Sequence, residues 1–446
     1  MGHHREIHGD VQPPRHGATC RRAGVVPSIE RSRRHGLPSS AWSSRSCPVI
    51  GFARSFMKVV ILIDSLIRGG AERQALLTLK ELAHRGIDAR LIRYYESPGG
   101  YDWPADLDAR VVLMEKAGRT LRFMWRLCRY LRREQIDVVH GFKEVPGIYA
   151  CVCGWLTGVP VRIVGHRTQS LPGGMIRRVY RWIRYFATAW IGNTKAVVDV
   201  LRHELGVPAE RLFVVPNGLE TDRFQPSDQL RASVRGRLGI APDAGVVTMV
   251  AVLRKGKNHR MFVRMAARVR DRKPNAVFLI VGDSDPAEPA CLSEVEAEVR
   301  SAGLEGSIRF LGMRADVPDI LCATDVSVLT TNFEGMSNAL LESMAAGVSI
   351  VSTDYVGARE LVVDGDQGFL VPLNDDQAMA DRVIRLLDDP GLRSRMGRAG
   401  ADRVKREFSA QVMGERLEAI YTRLASGRGA WSARASDGGS ATVAKH

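Results

Sequence analysis

Two glutamates eight positions apart, Glu334 and Glu342, stand in the stretch of the chain richest in usable chemistry, NFEGMSNALLESMAAGVSIVSTDYVGAR over residues 332–359. The apolar run Val326–Thr330 before them reads as a buried strand that ends in a loop carrying Glu334 and Gly335. A helix is expected to begin near Ser337, a residue type suited to capping the first turn. The free amides and the dipole at such an N-terminus favour a phosphate group. Eight residues at about 100° each bring the chain about 80° past two full turns, so both carboxylates can face one cleft at different depths. A carboxylate accepts two hydrogen bonds from a diol. One of the pair could hold sugar hydroxyls near the phosphate, and the other ribose hydroxyls further away.

Other segments carry complementary chemistry. Arg254-Lys255-Gly256-Lys257-Asn258-His259 follows a predicted strand and concentrates positive charge suited to an anionic ligand. Gly69 and Gly70, in the loop Arg68-Gly69-Gly70-Ala71-Glu72-Arg73, let the backbone come close to a ligand. His140 in DVVHGF and His166 in VGHRT end two predicted strands, and both are expected to point toward the cleft. Asp283-Ser284-Asp285 has the D-x-D form of a metal site, but its place after Val281-Gly282 fits a glycine turn, so no metal and no cofactor is expected. The seven cysteines are odd in number and irregular in spacing, with Cys151 and Cys153 only one residue apart. They read as small buried residues in a reducing cytosol rather than as zinc ligands or a redox pair.

The elements that must position these residues alternate. From Met57 onward, strands are predicted at Val59–Ile63, Ala89–Tyr94, Asp137–His140, Val161–Gly165, Trp190–Gly192 and Phe213–Val215, with amphipathic helices between several of them. A second series follows at Val246–Val252, Ala276–Val281, Ile308–Leu311, Val326–Thr330, Ser349–Ser352 and Gly368–Val371. Strand–helix alternation implies parallel sheets covered by helices on both faces. The fold class is therefore α/β, with two Rossmann-like, doubly wound domains facing across a deep cleft. Ligands sit at the carboxyl ends of the strands in such sheets. The polar stretch from Thr221 to Pro242 reads as an irregular linker. The expected organisation is a disordered extension over 1–56, a first domain over 57–221, a second over 222–407, a helix over 408–424 that returns toward the first domain, and a disordered tail over 425–446.

Glu334-Gly335-Met336-Ser337-Asn338-Ala339-Leu340-Leu341-Glu342, with its preceding strand and the following GARELV, resembles family 4 of the retaining glycosyltransferases, which have the GT-B fold. The likeness extends over about residues 57–424 through the Gly69-Gly70 loop, Pro216-Asn217-Gly218 with Asp222 to Phe224, and Val281-Gly282-Asp283. It implies transfer of a hexose-type sugar from a nucleoside diphosphate donor, with retention at the anomeric carbon and no bound metal. Gly69, Gly70, Gly335, Met336, Ser337, Asn338 and Glu342 are then donor-binding. Glu334, Lys257, Arg254, His140 and His166 are the catalytic group. The family's basic pair places an Arg five residues before the Lys; here that position is Val252, and Arg254 stands three before Lys257. A nucleotide-sugar epimerase on the same fold, and a basic binding module without catalysis, are the rival readings.

The formal net charge is +15, and residues 1–56 contribute nine Arg against three acids. Residues 116–134 carry seven basic residues and one acid, interleaved with Phe123, Trp125, Leu127 and Tyr130. Residues 175–186 repeat the theme with Arg177, Arg178, Arg181 and Arg184. The plain reading is a solvated basic face. The functional one is contact with anionic lipid or a lipid-linked acceptor, in a protein that is cytoplasmic and peripheral at the inner membrane surface. No nucleic-acid module is recognised, and no nucleic-acid partner is expected.

Overall fold

A computed structural model of the protein describes residues 57–67, 69–96, 103 and 105–427. The extension expected over 1–56, the tail beyond 427 and Arg68 lie outside the described residues.

The first seven strands are β1 Lys58–Ile63, β2 Asp88–Arg93, β3 Val111–Leu113, β4 Val138–Gly141, β5 Val161–His166, β6 Ala189–Gly192 and β7 Leu212–Val214. They form one parallel sheet in the order β3-β2-β1-β4-β5-β6-β7. The next six are β8 Val246–Val250, β9 Val277–Val281, β10 Ile308–Phe310, β11 Val326–Leu329, β12 Ser349–Thr353 and β13 Gly368–Val371. They form a second parallel sheet, β10-β9-β8-β11-β12-β13.

The helices of the first half are α1 Gly70–His84, α2 Thr120–Arg133, α3 Glu144–Thr157, α4 Gly174–Ile183 and α5 Lys195–His203. Those that follow are α6 Asp228–Arg237, α7 His259–Arg272, α8 Ala290–Ser301, α9 Val317–Ala323, α10 Asn338–Ala345, α11 Val356–Leu361, α12 Asp376–Asp388, α13 Pro390–Arg403 and α14 Ala410–Ser426.

β1 shows why these runs are continuous rather than alternating in polarity. Val59, Ile61 and Ile63 pack in one core with Leu79 of α1 and Met413, Leu417 and Tyr421 of α14. Val60 and Leu62 pack in another with Phe123 and Leu127 of α2 and Tyr149 of α3. Both faces of the strand are covered, so every position is apolar. The strand order reverses between β1 and β4, and again between β8 and β11. Both reversals create a crevice at the strand carboxyl ends.

The structure differs from the sequence reading in four places. β3 joins the edge of the first sheet; its three residues are too short to show a period. The stretch read as an irregular linker contains α6, whose cap Ser227 accepts from Leu230 N at 3.1 Å and which packs against α9. Polar side chains hid it: Arg231 and Arg235 serve the buried Asp325 carboxylate at 2.6 and 2.8 Å. α13 follows α12 almost without a break, started by Asp389, which accepts from Leu392 N at 2.8 Å. The C-terminal helix runs to Ser426, and it is tied to the first half where Leu219 N donates to Phe408 O at 2.9 Å and Ala410 N to Leu219 O at 2.8 Å. No helix among the described residues is long and apolar enough to cross a membrane.

Candidate functional site

The second-domain wall of the cleft is built from two loops stapled together. Thr330 Oγ1, at the end of β11, donates to Lys257 O at 2.8 Å, and Thr331 Oγ1 donates to Gly256 O at 3.1 Å. Asn332 N donates to the same Gly256 carbonyl at 3.1 Å. These bonds fold the 254–258 loop over the strand ends and bury Lys257. Its Nζ donates to Glu334 Oε2 at 2.7 Å. Asn258 takes a left-handed conformation (φ 53°) and caps α7 by accepting from Met261 N at 3.3 Å.

The helix after Glu334 is α10, starting at Asn338 with Ser337 as the cap; the Ser337 hydroxyl accepts from Leu340 N at 3.4 Å. Glu334 thus lies in the loop, and its direction is set by Lys257 rather than by helical phase. Glu342 lies on α10 itself, nearly buried, and pairs with Arg73 of α1. The angular count treated both carboxylates as helical, whereas only Glu342 is on the helix and each is held by its own cation. Gly357 opens the way for this loop: a Cβ there would stand 1.8 Å from Gly335 O.

The first-domain wall approaches from the ends of β1, β4 and β5. A Cβ on Gly70 would stand 3.0 Å from Asn338 Nδ2, so the glycine loop lies against the start of α10. Gly69 leaves room for Glu72, whose carboxylate pairs with Lys143 after β4; Lys143 also bonds Asp64 Oδ1 at 3.0 Å. Burial alone would lower the Lys143 pKa, but Glu72 and Asp64 outweigh it and hold the ammonium above its usual value. Asn217 Nδ2 donates to Asn338 Oδ1 at 2.8 Å, and its backbone N meets Met336 Sδ at 3.1 Å. Arg167 Nη1 donates to Asn217 Oδ1 at 2.6 Å. Gln169 Nε2 donates to Glu334 O at 2.7 Å. Glu360 of α11 caps α5 by accepting from Lys195 N and Ala196 N at 2.8 and 3.0 Å.

Glu334, Gly335, Met336, Ser337, Asn338, Glu342, Lys257, Gly69 and Gly70 are therefore gathered around the start of α10. Arg254 is exposed on the loop beside them and forms no ion pair among the described residues. The two histidines depart from expectation. His140 is buried and its Nδ1 meets Tyr421 Oη of α14 at 2.8 Å. Burial, and then the charge of Arg167, lower its pKa to about 3. His166 is fully buried against Tyr180, with Nδ1 3.3 Å from Glu144 Oε1 but out of hydrogen-bonding alignment. Strand alternation aims these side chains into the packed layers rather than at the opening.

Asp283 and Asp285 serve their own loop, accepting from Ser284 N at 2.8 Å and Ala287 N at 2.9 Å. Gly282 (φ 151°) is the glycine of the turn, since a Cβ would stand 2.0 Å from Ala251 O. The cleft residues that sequence reasoning did not single out are Arg73, Arg167, Gln169 and Asn217. Arg73 stands in the quoted glycine loop and Asn217 in the quoted turn, but nothing in their spacing says that they reach across the cleft. As a whole the arrangement offers helix amides and an ammonium to an anion, and two carboxylates to hydroxyls.

Both halves of the chain match known protein families. The model of the family described as glycosyl transferases group 1 matches residues 244–389, and that of Glycosyltransferase Family 4 matches 68–223. A UDP-Gal:alpha-D-GlcNAc-diphosphoundecaprenol alpha-1,3-galactosyltransferase of Escherichia coli is 28% identical over 61% of this chain and 71% of its own length. An alpha-D-kanosaminyltransferase of Streptomyces kanamyceticus is 28% identical over 72% of this chain and 86% of its own length. The crystal structure of Anabaena HepE in complex with UDP and glucose superposes with a TM-score of 0.73 at 20% identity, covering 82% of this chain and 100% of that one. WaaG, a glycosyltransferase involved in lipopolysaccharide biosynthesis, superposes with a TM-score of 0.63 at 17% identity, over 82% of this chain and 99% of its own. At these identities the structural likeness speaks for the fold.

Proposed function

We propose, since the chain belongs to family 4 of the glycosyltransferases and has their GT-B fold, that it transfers a hexose-type sugar from a nucleoside diphosphate donor with retention at the anomeric carbon. The acceptor is a glycan or a lipid-linked sugar, as the name of the galactosyltransferase relative suggests for that enzyme. The observation that carries the reading is the grouping at the start of α10: Lys257 from the loop after β8 lies 2.7 Å from Glu334 of the loop after β11, with Glu342 one turn into α10.

Glu334 accepts from sugar hydroxyls, and Glu342 accepts from the ribose diol. Lys257 and the amides at Gly335–Ser337 bear the charge that develops on the leaving diphosphate. No side chain is assigned as nucleophile, and the reaction uses no resident metal or cofactor. The first-domain loops after β1, β4 and β5 present the acceptor hydroxyl. The exposed Arg and Trp residues of α2 and α4 hold the protein peripherally at an anionic membrane.

The test is incubation with uridine, guanosine and adenosine diphosphate sugars and a panel of acceptors, followed by nuclear magnetic resonance of the product. Nucleoside diphosphate release with a product of the donor's anomeric configuration is expected. An inverted product would remove retention, an altered sugar without transfer would favour an epimerase, and no turnover with any donor would favour a binding module.

A further inference from the structure

The leaving group of the proposed reaction carries at least two negative charges, and the second domain meets them incompletely. The Lys257 ammonium is shared with Glu334 at 2.7 Å, so that pair is close to neutral before any diphosphate arrives. Val252 is uncharged, and Arg254 is exposed on its loop. The remaining cations near α10 come from the other side of the cleft. Arg73 is neutralised by Glu342.

Arg167, the residue after β5, is placed differently. No carboxylate lies within ion-pair distance of it among the described residues; its Nη1 donates to the neutral Asn217 side chain at 2.6 Å. Asn217 in turn donates to Asn338, the first residue of α10, at 2.8 Å. The guanidinium carbon lies 4.5 Å from the centre of the Phe142 ring, which holds its plane. Its own carbonyl stands where a Cβ on Gly335 would come within 2.6 Å, so the backbone is pinned against the phosphate-side loop. A guanidinium has five N–H donors in a fixed fork suited to phosphate oxygens. Asn217 engages one.

We infer that Arg167, rather than His140 or His166, is the first-domain side chain that binds the donor's diphosphate, and that it supplies the positive charge missing at Val252. The inference rests on the proposed nucleotide-sugar reading. On donor binding the guanidinium turns from Asn217 toward the phosphate oxygens at the start of α10, and its charge couples closure of the cleft to the presence of the diphosphate.

The test uses the full chain, calorimetry, and whichever of uridine, guanosine and adenosine diphosphate binds it most tightly, with the matching monophosphate. Arg167→Met should weaken the diphosphate on the order of tenfold to a hundredfold and the monophosphate by less than about threefold. Arg167→Lys should recover part of the diphosphate preference, because it keeps the charge but loses the fork. Arg73→Met should weaken both ligands alike, since its partner Glu342 faces the ribose. Equal loss of both ligands in Arg167→Met, or loss of neither, overturns the inference. Should that variant fail to unfold cooperatively, Arg167→Gln is read by the same criterion. If none of the three diphosphates binds the unchanged chain, the nucleotide-sugar reading fails instead.

Discussion

Lys257 and Glu334 are 77 positions apart, and their 2.7 Å ion pair joins the loop after β8 to the loop after β11 at the topological reversal of the second sheet. The pair does two things at once. It gives the buried Lys257 side chain a carboxylate partner, and it fixes the direction of Glu334, which the proposed reaction uses to hold sugar hydroxyls. Glu342 is held by a different cation, Arg73 from the opposite domain. The two glutamates are thus held by different partners, and their substitutions should differ in kind.

Glu334→Ala is expected to lower turnover by about a hundredfold while changing the donor's Michaelis constant much less, because it removes an interaction that matters while charge develops. Glu342→Ala should mainly raise the Michaelis constant, because ribose binding is felt equally in ground and transition states. Steady-state kinetics on both variants decide the matter. Wild-type behaviour of both would remove the site from α10.

Gly357 has no room for a side chain: its Cβ would meet the Gly335 carbonyl at 1.8 Å, and that carbonyl is backbone. Gly357→Ala should therefore push the Glu334–Gly335 loop off Lys257. We expect activity to fall by at least tenfold while circular dichroism keeps its helical and strand content, since the displaced loop lies outside the sheet and costs roughly 1–3 kcal/mol. Unchanged kinetics would show that the loop position is not critical.

Two buried histidines should make the protein acid-sensitive. Burial, with the charge of Arg167, lowers His140 to about 3; burial, with the charge of Lys257, lowers His259 to about 4. Both stay neutral in the folded chain, while the unfolded chain protonates them below about pH 6.5. Their contribution is complete above that pH and is lost as pH falls through 6 and 5 toward these depressed values, by up to roughly 1.4 kcal/mol per pH unit for each. Urea unfolding at pH 7, 6 and 5 measures the slope. His140→Phe should be less stable at pH 7, having lost Tyr421, yet show a shallower decline. An equal slope in the variant would mean that His140 is not the titrating group.

How far the sequence could be read follows from what kind of signal each part leaves. Strands buried on both faces, such as Val59–Ile63, announce themselves as unbroken apolar runs, so the alternation of elements was legible, as was the glycine turn at Gly282. β3 was not, because three residues on a sheet edge carry no period. α6 was not, because Arg231 and Arg235 look like solvent-facing charges and are instead the partners of Asp325. Within the site, residues close in sequence were legible as a group: Glu334, Ser337 and Glu342 sit in one short segment running from the loop into α10. Contacts across the cleft were not. Arg73 meets Glu342 at a separation of 269 residues, and Asn217 meets Asn338 at 121. His140 and His166 were assigned to the opening from strand ends alone, and the packing of α14 and of Tyr180 turns both into the interior.

Membrane attachment has a defined surface to test. α2, α3 and α4 cover one face of the first sheet through Phe123, Leu127, Tyr149, Cys153, Tyr180 and Ile183. Their outer sides carry Leu121, Trp125, Trp155 and Trp182, exposed at 82%, 61%, 53% and 70%, among the exposed Arg122, Arg126, Arg129, Arg178 and Arg181. Arg184 does not belong to this set, since it donates to Leu205 O at 2.7 Å and is part of the fold. A basic side chain near an anionic surface contributes about 1 kcal/mol, and exposed charges are screened over about 8 Å at physiological salt. Indole rings can then settle at the interface. The protein should co-sediment with vesicles containing anionic phospholipid at low salt, less at high salt, and hardly at all with neutral phosphatidylcholine vesicles. Changing Arg122, Arg129, Arg178 and Arg181 together to Glu should abolish sedimentation without lowering the melting temperature, because none of the four is buried. Trp125→Ser with Trp182→Ser should weaken binding while leaving its salt dependence intact, which separates the apolar contribution from the charge. Equal binding to anionic and neutral vesicles, or none to either, would make this layer an ordinary solvated face.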